Sequence, residues 1–160
     1  MKNVFLFITS KFFVVSCIAQ RPAQGPMSQE RYTPKKLGYK LVWKDEFKGN
    51  KLNPQKWAIR GVGPRGIAFV AEEAVKVEDG YLKLYALKKG DSLLGSAVGT
   101  EGLFMSKYGY YECRAQLQKS PGVWAAFWIQ STEISKGEDP AIYGAEIDIL
   151  EFFKKLGTDI

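Results

Sequence analysis

Three carboxylates fall within six residues at Glu146-Ile147-Asp148-Ile149-Leu150-Glu151, in a segment whose β-branched and apolar members read as a buried strand. Acids in such a place cost free energy unless they are paired, hydrogen-bonded or used. On a helix Glu146 and Asp148 would not face one another, whereas strand residues two apart share a face. A regular strand would then turn Glu151 into the core; one β-bulge at Ile149-Leu150 returns it to the acidic side. Glu146 and Glu151 would then lie about four strand rises apart, roughly 13 Å between Cα atoms, and their long side chains can lean together. Retaining glycosidases need two carboxyl groups about 5–5.5 Å apart, one to attack the sugar and one to protonate the leaving oxygen. Asp148 adds a third acid between them, and neighbouring carboxylates can share a proton. Two other readings stand beside this one. Acids on the solvent face of a strand often serve only solubility, and the hexapeptide alone does not separate that from hydrolysis. A calcium site is the third, although the segment lacks the glycine-containing loop of an EF-hand.

The second informative segment is Gly122-Val123-Trp124-Ala125-Ala126-Phe127-Trp128-Ile129-Gln130. Strand alternation sends Trp124, Ala126 and Trp128 to one face and Val123, Ala125, Phe127 and Ile129 to the other. Two indoles flanking a small residue make a flat apolar platform, and the C–H faces of pyranose rings stack on such planes while the indole N–H meets a hydroxyl. Taken alone, large aromatics in a strand are more often core. One connection before an acidic strand, the balance moves towards a sugar groove.

The remaining chemistries are poorly supplied. There is no histidine, so the usual triad base and the commonest zinc ligand are missing. The two cysteines, Cys17 and Cys113, are isolated, and Cys113 reads as a small buried apolar residue. Gly61-Val62-Gly63-Pro64-Arg65-Gly66 matches the dinucleotide pattern G-x-G-x-x-G, but that pattern needs a strand before it and a helix opening on its glycines. Pro64 fits this poorly. The stretch reads as a loop from which Arg65 could project into a groove.

The elements that must position these residues are short strands. Beyond the two segments above, strands are expected over residues 39–43, 74–77, 81–86, 102–106 and 108–117, with Asp79-Gly80 as a hairpin turn. Residues 81–85 and 111–117 alternate apolar and polar positions, and no long helical period competes. Many short strands at close spacing imply an all-β sandwich or jelly roll with antiparallel pairing dominant.

The chain of 160 residues, 46% hydrophobic and 14% aromatic, suits one globular domain. Its first 19 residues read as an export signal, with a basic start at Lys2 and an apolar run interrupted by Lys11. Cleavage after Ala19 would release a secreted protein; cleavage before Cys17, in Val14-Val15-Ser16-Cys17, would leave a lipid anchor on a bacterial cell envelope. Residues 20–37, polar and proline-bearing, read as a tether, and the domain occupies residues 38–160. The formal charge is +6, and the lysine pairs Lys35-Lys36, Lys88-Lys89 and Lys154-Lys155 are scattered, which argues against a nucleic-acid partner.

These segments together resemble glycoside hydrolase family 16, the group of laminarinases, lichenases, agarases and carrageenases. The resemblance runs through Leu41-Val42-Trp43-Lys44-Asp45-Glu46-Phe47, Leu52-Asn53-Pro54-Gln55-Lys56-Trp57, Asp79-Gly80-Tyr81-Leu82-Lys83-Leu84 and Lys107-Tyr108-Gly109-Tyr110-Tyr111-Glu112 to the tryptophan and acidic segments. It implies a concanavalin A-like β-jelly roll of two packed antiparallel sheets with a groove across the concave one. By resemblance Glu146 is the nucleophile, Glu151 the general acid/base and Asp148 the assisting aspartate, with Trp124 and Trp128 lining the cleft. Members cleave β-linked glucans or galactans internally with retention, need no catalytic cofactor, and in some cases hold a structural calcium. Where many relatives read W-P-A-F-W, this chain has Ala125. Family domains continue beyond the catalytic strand for a comparable stretch, so the sequence is expected to be an N-terminal fragment, C-terminal part missing, inactive or aggregating alone and a monomer when complete. The rival reading is a non-catalytic, carbohydrate-binding lectin on the same scaffold; binders of that kind have usually lost the acids, and all three are present here.

Overall fold

A computed structural model describes residues 33–154 together with the backbone of strand β1 (Val4–Thr9). The cleavage sites expected near Cys17 and most of the 20–37 tether lie outside the described residues. The strands that follow are β2 (Ala58–Ile59), β3 (Gly63–Arg65), β4 (Ala68–Val70), β5 (Val75–Glu78), β6 (Tyr81–Lys89), β7 (Ser92–Gly95), β8 (Val98–Gly99), β9 (Arg114–Gln116), β10 (Trp124–Gln130) and β11 (Glu146–Phe153). A four-residue helix, α1 (Pro140–Tyr143), lies in the connection before β11, capped by Asp139, whose side chain accepts from the Ala141 amide.

Seven strands form one sheet in the order β3-β4-β7-β6-β1-β9, with β5 also pairing β6. β10 with β11 and β2 with β8 form two further ladders. Pairing is antiparallel throughout these ladders except between β4 and β7, which run parallel. Part of the segment read as an export signal, Val4–Thr9, runs between β6 and β9.

The hairpin from β5 to β6 turns on Asp79 (φ 57°) and Gly80 (φ 77°). Two positive φ values in succession are what a type I′ turn requires, and Asp-Gly supplies them at low cost. Glu78 therefore pairs with Tyr81, and Leu82 with Val77. Lys83, buried on β6, donates to Glu78 at 2.9 Å and to Asp79 at 2.8 Å, and the Tyr85 hydroxyl donates to Glu78 at 3.2 Å. Asp79 and Glu78 hold the Lys83 ammonium charged well above its ordinary range, and the bond from Lys83 lowers the Glu78 carboxyl.

Leu82, with no exposed surface, packs with Phe47 and Val77, and Leu52, Trp57, Val75, Leu84 and Val98 close around them. Asp45 organises the chain that delivers Phe47: it accepts from the Phe47 amide at 2.9 Å and from the Trp57 indole at 3.1 Å. Phe47 adopts φ 48°, a conformation uncommon outside glycine. The Asp-Glu-Phe and Lys-Trp segments are thus a structural brace.

Several expected strands are absent. Residues 39–43 form no ladder; Leu41 and Val42 are exposed, and Trp43 instead sits edge-on to Trp57 and stacks on Phe104. Residues 102–106 begin as a turn bonded to the Thr100 carbonyl, and of 108–117 only Arg114–Gln116 is paired. Within the glycine-rich stretch, Gly63–Arg65 is an edge strand rather than a loop, and no helix opens on its glycines, so the dinucleotide reading lacks its scaffold. Cys113 is half-buried, and desolvation pushes its thiol up to about 11.

Candidate active site

The register of β10 against β11 decides which side chains meet. Gln130 pairs with Glu146 and Trp128 with Asp148; the register then shifts, so that Phe127 pairs with Leu150, Ala126 with Glu151 and Trp124 with Phe153. Ile149 is the extra residue, within the pair where the bulge is expected. Cross-strand partners share a face. One face therefore carries Trp124, Ala126, Trp128, Gln130, Glu146, Asp148, Glu151 and Phe153. The reverse face is apolar throughout: Ala125, Phe127 and Ile129 lie against Phe152, Leu150 and Ile147. Without the bulge, Glu151 would point into that apolar layer.

All three acids are exposed, and two are already held by neighbours on their own face. The Trp124 indole N–H donates to Glu151 Oε1 at 2.9 Å. Gln130 Nε2 donates to Glu146 Oε2 at 2.5 Å. Trp124 is 67% exposed and its ring lies 6.2 Å from that of Phe153, which makes an open aromatic surface beside Glu151. Trp128 is half-buried, with the guanidinium of Arg60 4.4 Å over its ring. Arg60 also donates from Nη2 to Gln130 Oε1 at 2.6 Å. The platform thus has an open end at Trp124 and a covered, cationic end at Trp128.

The ribbon is secured at both ends. The Ser131 amide donates to the Ala145 carbonyl at 3.0 Å and the Gly122 amide to the Lys154 carbonyl at 3.0 Å. Gln118, buried beneath, donates to the Val123 carbonyl at 2.6 Å and also reaches that of Phe152 at 3.4 Å.

Of the residues singled out from sequence, Glu146, Asp148, Glu151, Trp124 and Trp128 share this face. Arg65 does not: it stands exposed on edge strand β3, paired with Ala68 in the other sheet. The arginine beside the platform is Arg60. Gln130 and Phe153 were overlooked as well, although both continue the alternation of residues already on the face, two beyond Trp128 and two beyond Glu151. Arg60 carried no such signal, since it reaches Gln130 from 70 residues away.

Among the described residues, no three His, Cys, Asp or Glu side chains cluster so that they could hold a metal ion. Among the described residues, also, no helix is long and apolar enough to cross a membrane. A cavity of about 390 Å³ lies elsewhere, lined by residues including Lys44, Asp45, Phe47, Lys51 and Lys56. Its Asp45 is taken up by the structural brace, which leaves the open acidic face as the candidate site.

Fold and site together define an all-β jelly-roll domain whose acidic, aromatic-paved face is built on one bulged ribbon. The family model for glycosyl hydrolases family 16 matches residues 67–159. The chain belongs to that family. It is 28% identical over 142 residues to glucan endo-1,3-beta-glucosidase A1 of Niallia circulans, across 74% of this chain and 20% of that protein. It is 30% identical over 128 residues to beta-porphyranase D of Zobellia galactanivorans, across 71% of this chain and 30% of that one. Among solved structures, the laminarinase from Flavobacterium sp. UMI-01 superposes with a TM-score of 0.61 at 30% identity, over 71% of this chain and 52% of the other. The chain thus spans about half of that laminarinase and less of these two curated relatives.

Proposed function

We propose that the protein is a retaining endo-β-glycosidase acting on β-linked polysaccharides, β-1,3- or β-1,3/1,4-glucan or galactan. The observation that carries this reading is the bulged register that gathers Glu146, Asp148 and Glu151 on one face with Trp124. Glu146 attacks the anomeric carbon and forms a glycosyl ester while the bond to the leaving oxygen breaks, and Glu151 gives that oxygen its proton. Glu151 then takes a proton from water, whose oxygen attacks the same carbon and releases Glu146. Asp148, between the two, assists. Trp124 and Phe153 offer an apolar surface for a pyranose face. The names of the relatives, a glucan endo-1,3-beta-glucosidase, a porphyranase and a laminarinase, support a glucan or galactan substrate. A polymer substrate also suits export, secreted or lipid-anchored at Cys17.

The test is to incubate the full-length protein with laminarin, lichenan, agarose, carrageenan and porphyran and follow the products by thin-layer chromatography. Shorter oligosaccharides whose new reducing ends first appear in the β configuration by proton NMR are expected, and Glu146→Gln should bring cleavage to background. Binding without cutting would return the protein to the lectin class; an undiminished rate in the glutamine variant would remove Glu146 from its role.

A further inference from the structure

An arginine and a glutamine that the acid chemistry does not call for are built against one carboxylate of the site. The two-residue ladder between β2 and β8 pairs Ala58 with Gly99 and Ile59 with Val98, and the Arg60 amide continues it by donating to the Ala97 carbonyl at 2.9 Å. The arginine leaves this ladder across Gly99, where a Cβ would meet Arg60 Cδ at 3.3 Å, tight enough to crowd the side chain's path. Its guanidinium then sits 4.4 Å over the Trp128 ring, and Nη2 reaches Gln130 Oε1 at 2.6 Å. An arginine has donors only, whereas a side-chain amide has one donating and one accepting end. With Arg60 on one side, Gln130 must turn Oε1 towards it, and Nε2 is therefore the end that meets Glu146 Oε2 at 2.5 Å. A glutamine alone could present either end; presenting its oxygen to a carboxylate would set two acceptors against each other.

We propose that Arg60 is a positioning residue: seated over Trp128 and bonded to Gln130, it fixes the amide so that Glu146 Oε2 is held and Oε1 is the oxygen that attacks. The proposal rests on Glu146 being the nucleophile. It assigns the two oxygens different tasks: Oε1 forms the ester to the anomeric carbon, and Oε2 becomes the ester carbonyl, still accepting from Gln130. Arg60 itself need not touch the sugar. A guanidinium held over a half-buried indole and bonded to Gln130 has little freedom to move, which is what a part that must orient another side chain requires.

The test uses the full-length protein with Arg60→Met, which keeps much of the stem's packing on Trp128 and past Gly99, with Gln130→Leu, and with both together. Each single variant should lower kcat roughly 10- to 100-fold through misplacement of the carboxylate, with KM changed by less than about twofold. The double variant should fall no further than the worse single. Arg60→Lys, which still has a donor, should recover part of the rate lost in Arg60→Met. Losses that multiply in the double variant, or a rise in KM at unchanged kcat, would overturn the relay and make Arg60 a substrate contact or an independent packing residue. A readout free of turnover separates this from the hydrolase reading: the Gln130 side-chain amide signals in a 15N–1H NMR spectrum should shift in Arg60→Met and again in Glu146→Ala. Signals unmoved in either variant would sink the relay even in an active enzyme, and signals that move in both would sustain the bonded chain even if no polysaccharide is cut.

Discussion

Trp124 and Glu151, 27 residues apart in the chain, are joined by an indole N–H that donates to the carboxylate at 2.9 Å. The bond exists because the bulge at Ile149 brings Glu151 opposite Ala126, diagonal to Trp124 on the same face. It ties the most exposed part of the aromatic surface to the proposed acid/base. Trp124→Phe keeps an aromatic face and removes the donor. Without that bond the carboxyl group is free to leave the position from which it must reach the leaving oxygen, so kcat on the best polysaccharide should fall by roughly 10-fold or more, while KM, set partly by stacking, changes less. Initial-rate kinetics on Trp124→Phe and the wild type measure the split.

Glu151→Ala addresses the proton itself. A poor leaving group needs protonation as its bond breaks, whereas an activated phenol does not. The variant should lose about 100- to 10,000-fold on polysaccharide and much less on a dinitrophenyl β-glycoside of a short oligosaccharide in the glycosylation step. Equal losses on both substrates, measured as burst rates, would remove Glu151 from the acid's place.

Deleting Ile149 tests the geometry rather than the chemistry. The shortened strand can pair regularly with β10, and because Ile149 is the extra residue, Leu150 stays opposite Phe127 and Glu151 opposite Ala126, each on the face it already holds. What is lost is the local bend and twist of the bulge, and with it the distance along the strand between Glu146 and Glu151. Initial rates and calorimetry should show a fall in kcat from the altered carboxylate spacing without a large fall in Tm, whereas Ile149→Val should leave both near wild type.

The acidic face was legible in the sequence because its signals are local: alternation places Glu146 with Asp148 and Trp124 with Trp128, and the need to keep Glu151 out of the core demands the bulge. The Asp79-Gly80 hairpin was legible for the same reason, since the turn's φ values select its residues. Residues 39–43 look like a strand by the same alternation, yet a strand exists only where another offers hydrogen bonds. Leu41 and Val42 stay exposed with no ladder, and the aromatic Trp43 is used for stacking on Trp57 and Phe104. Arg60 could not be singled out, because its position depends on a two-residue ladder and on the missing side chain of Gly99. Arg65, five residues on, has the same chemistry on the wrong sheet.

Asp45 should prove to be a stability residue rather than a catalytic one. Its carboxylate satisfies the Phe47 amide and the Trp57 indole, and holds Phe47 at φ 48° against Leu82 and Val77. Asp45→Ala leaves a partly buried donor on Trp57 without its partner and frees a strained backbone, for a loss of about 1–3 kcal/mol. Calorimetry of the full-length protein should show a lowered Tm, with kcat/KM per folded molecule little changed below the transition.

Glu78 gives the hairpin an acid-sensitive clamp whose sign follows from its partner. Lys83 donates to it at 2.9 Å and Tyr85 at 3.2 Å, and these bonds, Lys83 foremost, lower its carboxyl below the ordinary 4.5. A folded value below the unfolded one means that the unfolded chain binds the proton first as acid is added. The stabilisation is therefore complete above the ordinary value and is lost as pH falls through the depressed folded one. Asp79, the other acceptor of Lys83, keeps the ammonium charged over this range, so the loss belongs to the acid limb. In the full-length protein, Glu78→Gln should lower Tm near neutral pH and flatten its decline below 4.5 relative to wild type. Parallel Tm curves for the two proteins across that range would show that Glu78 carries none of the acid dependence.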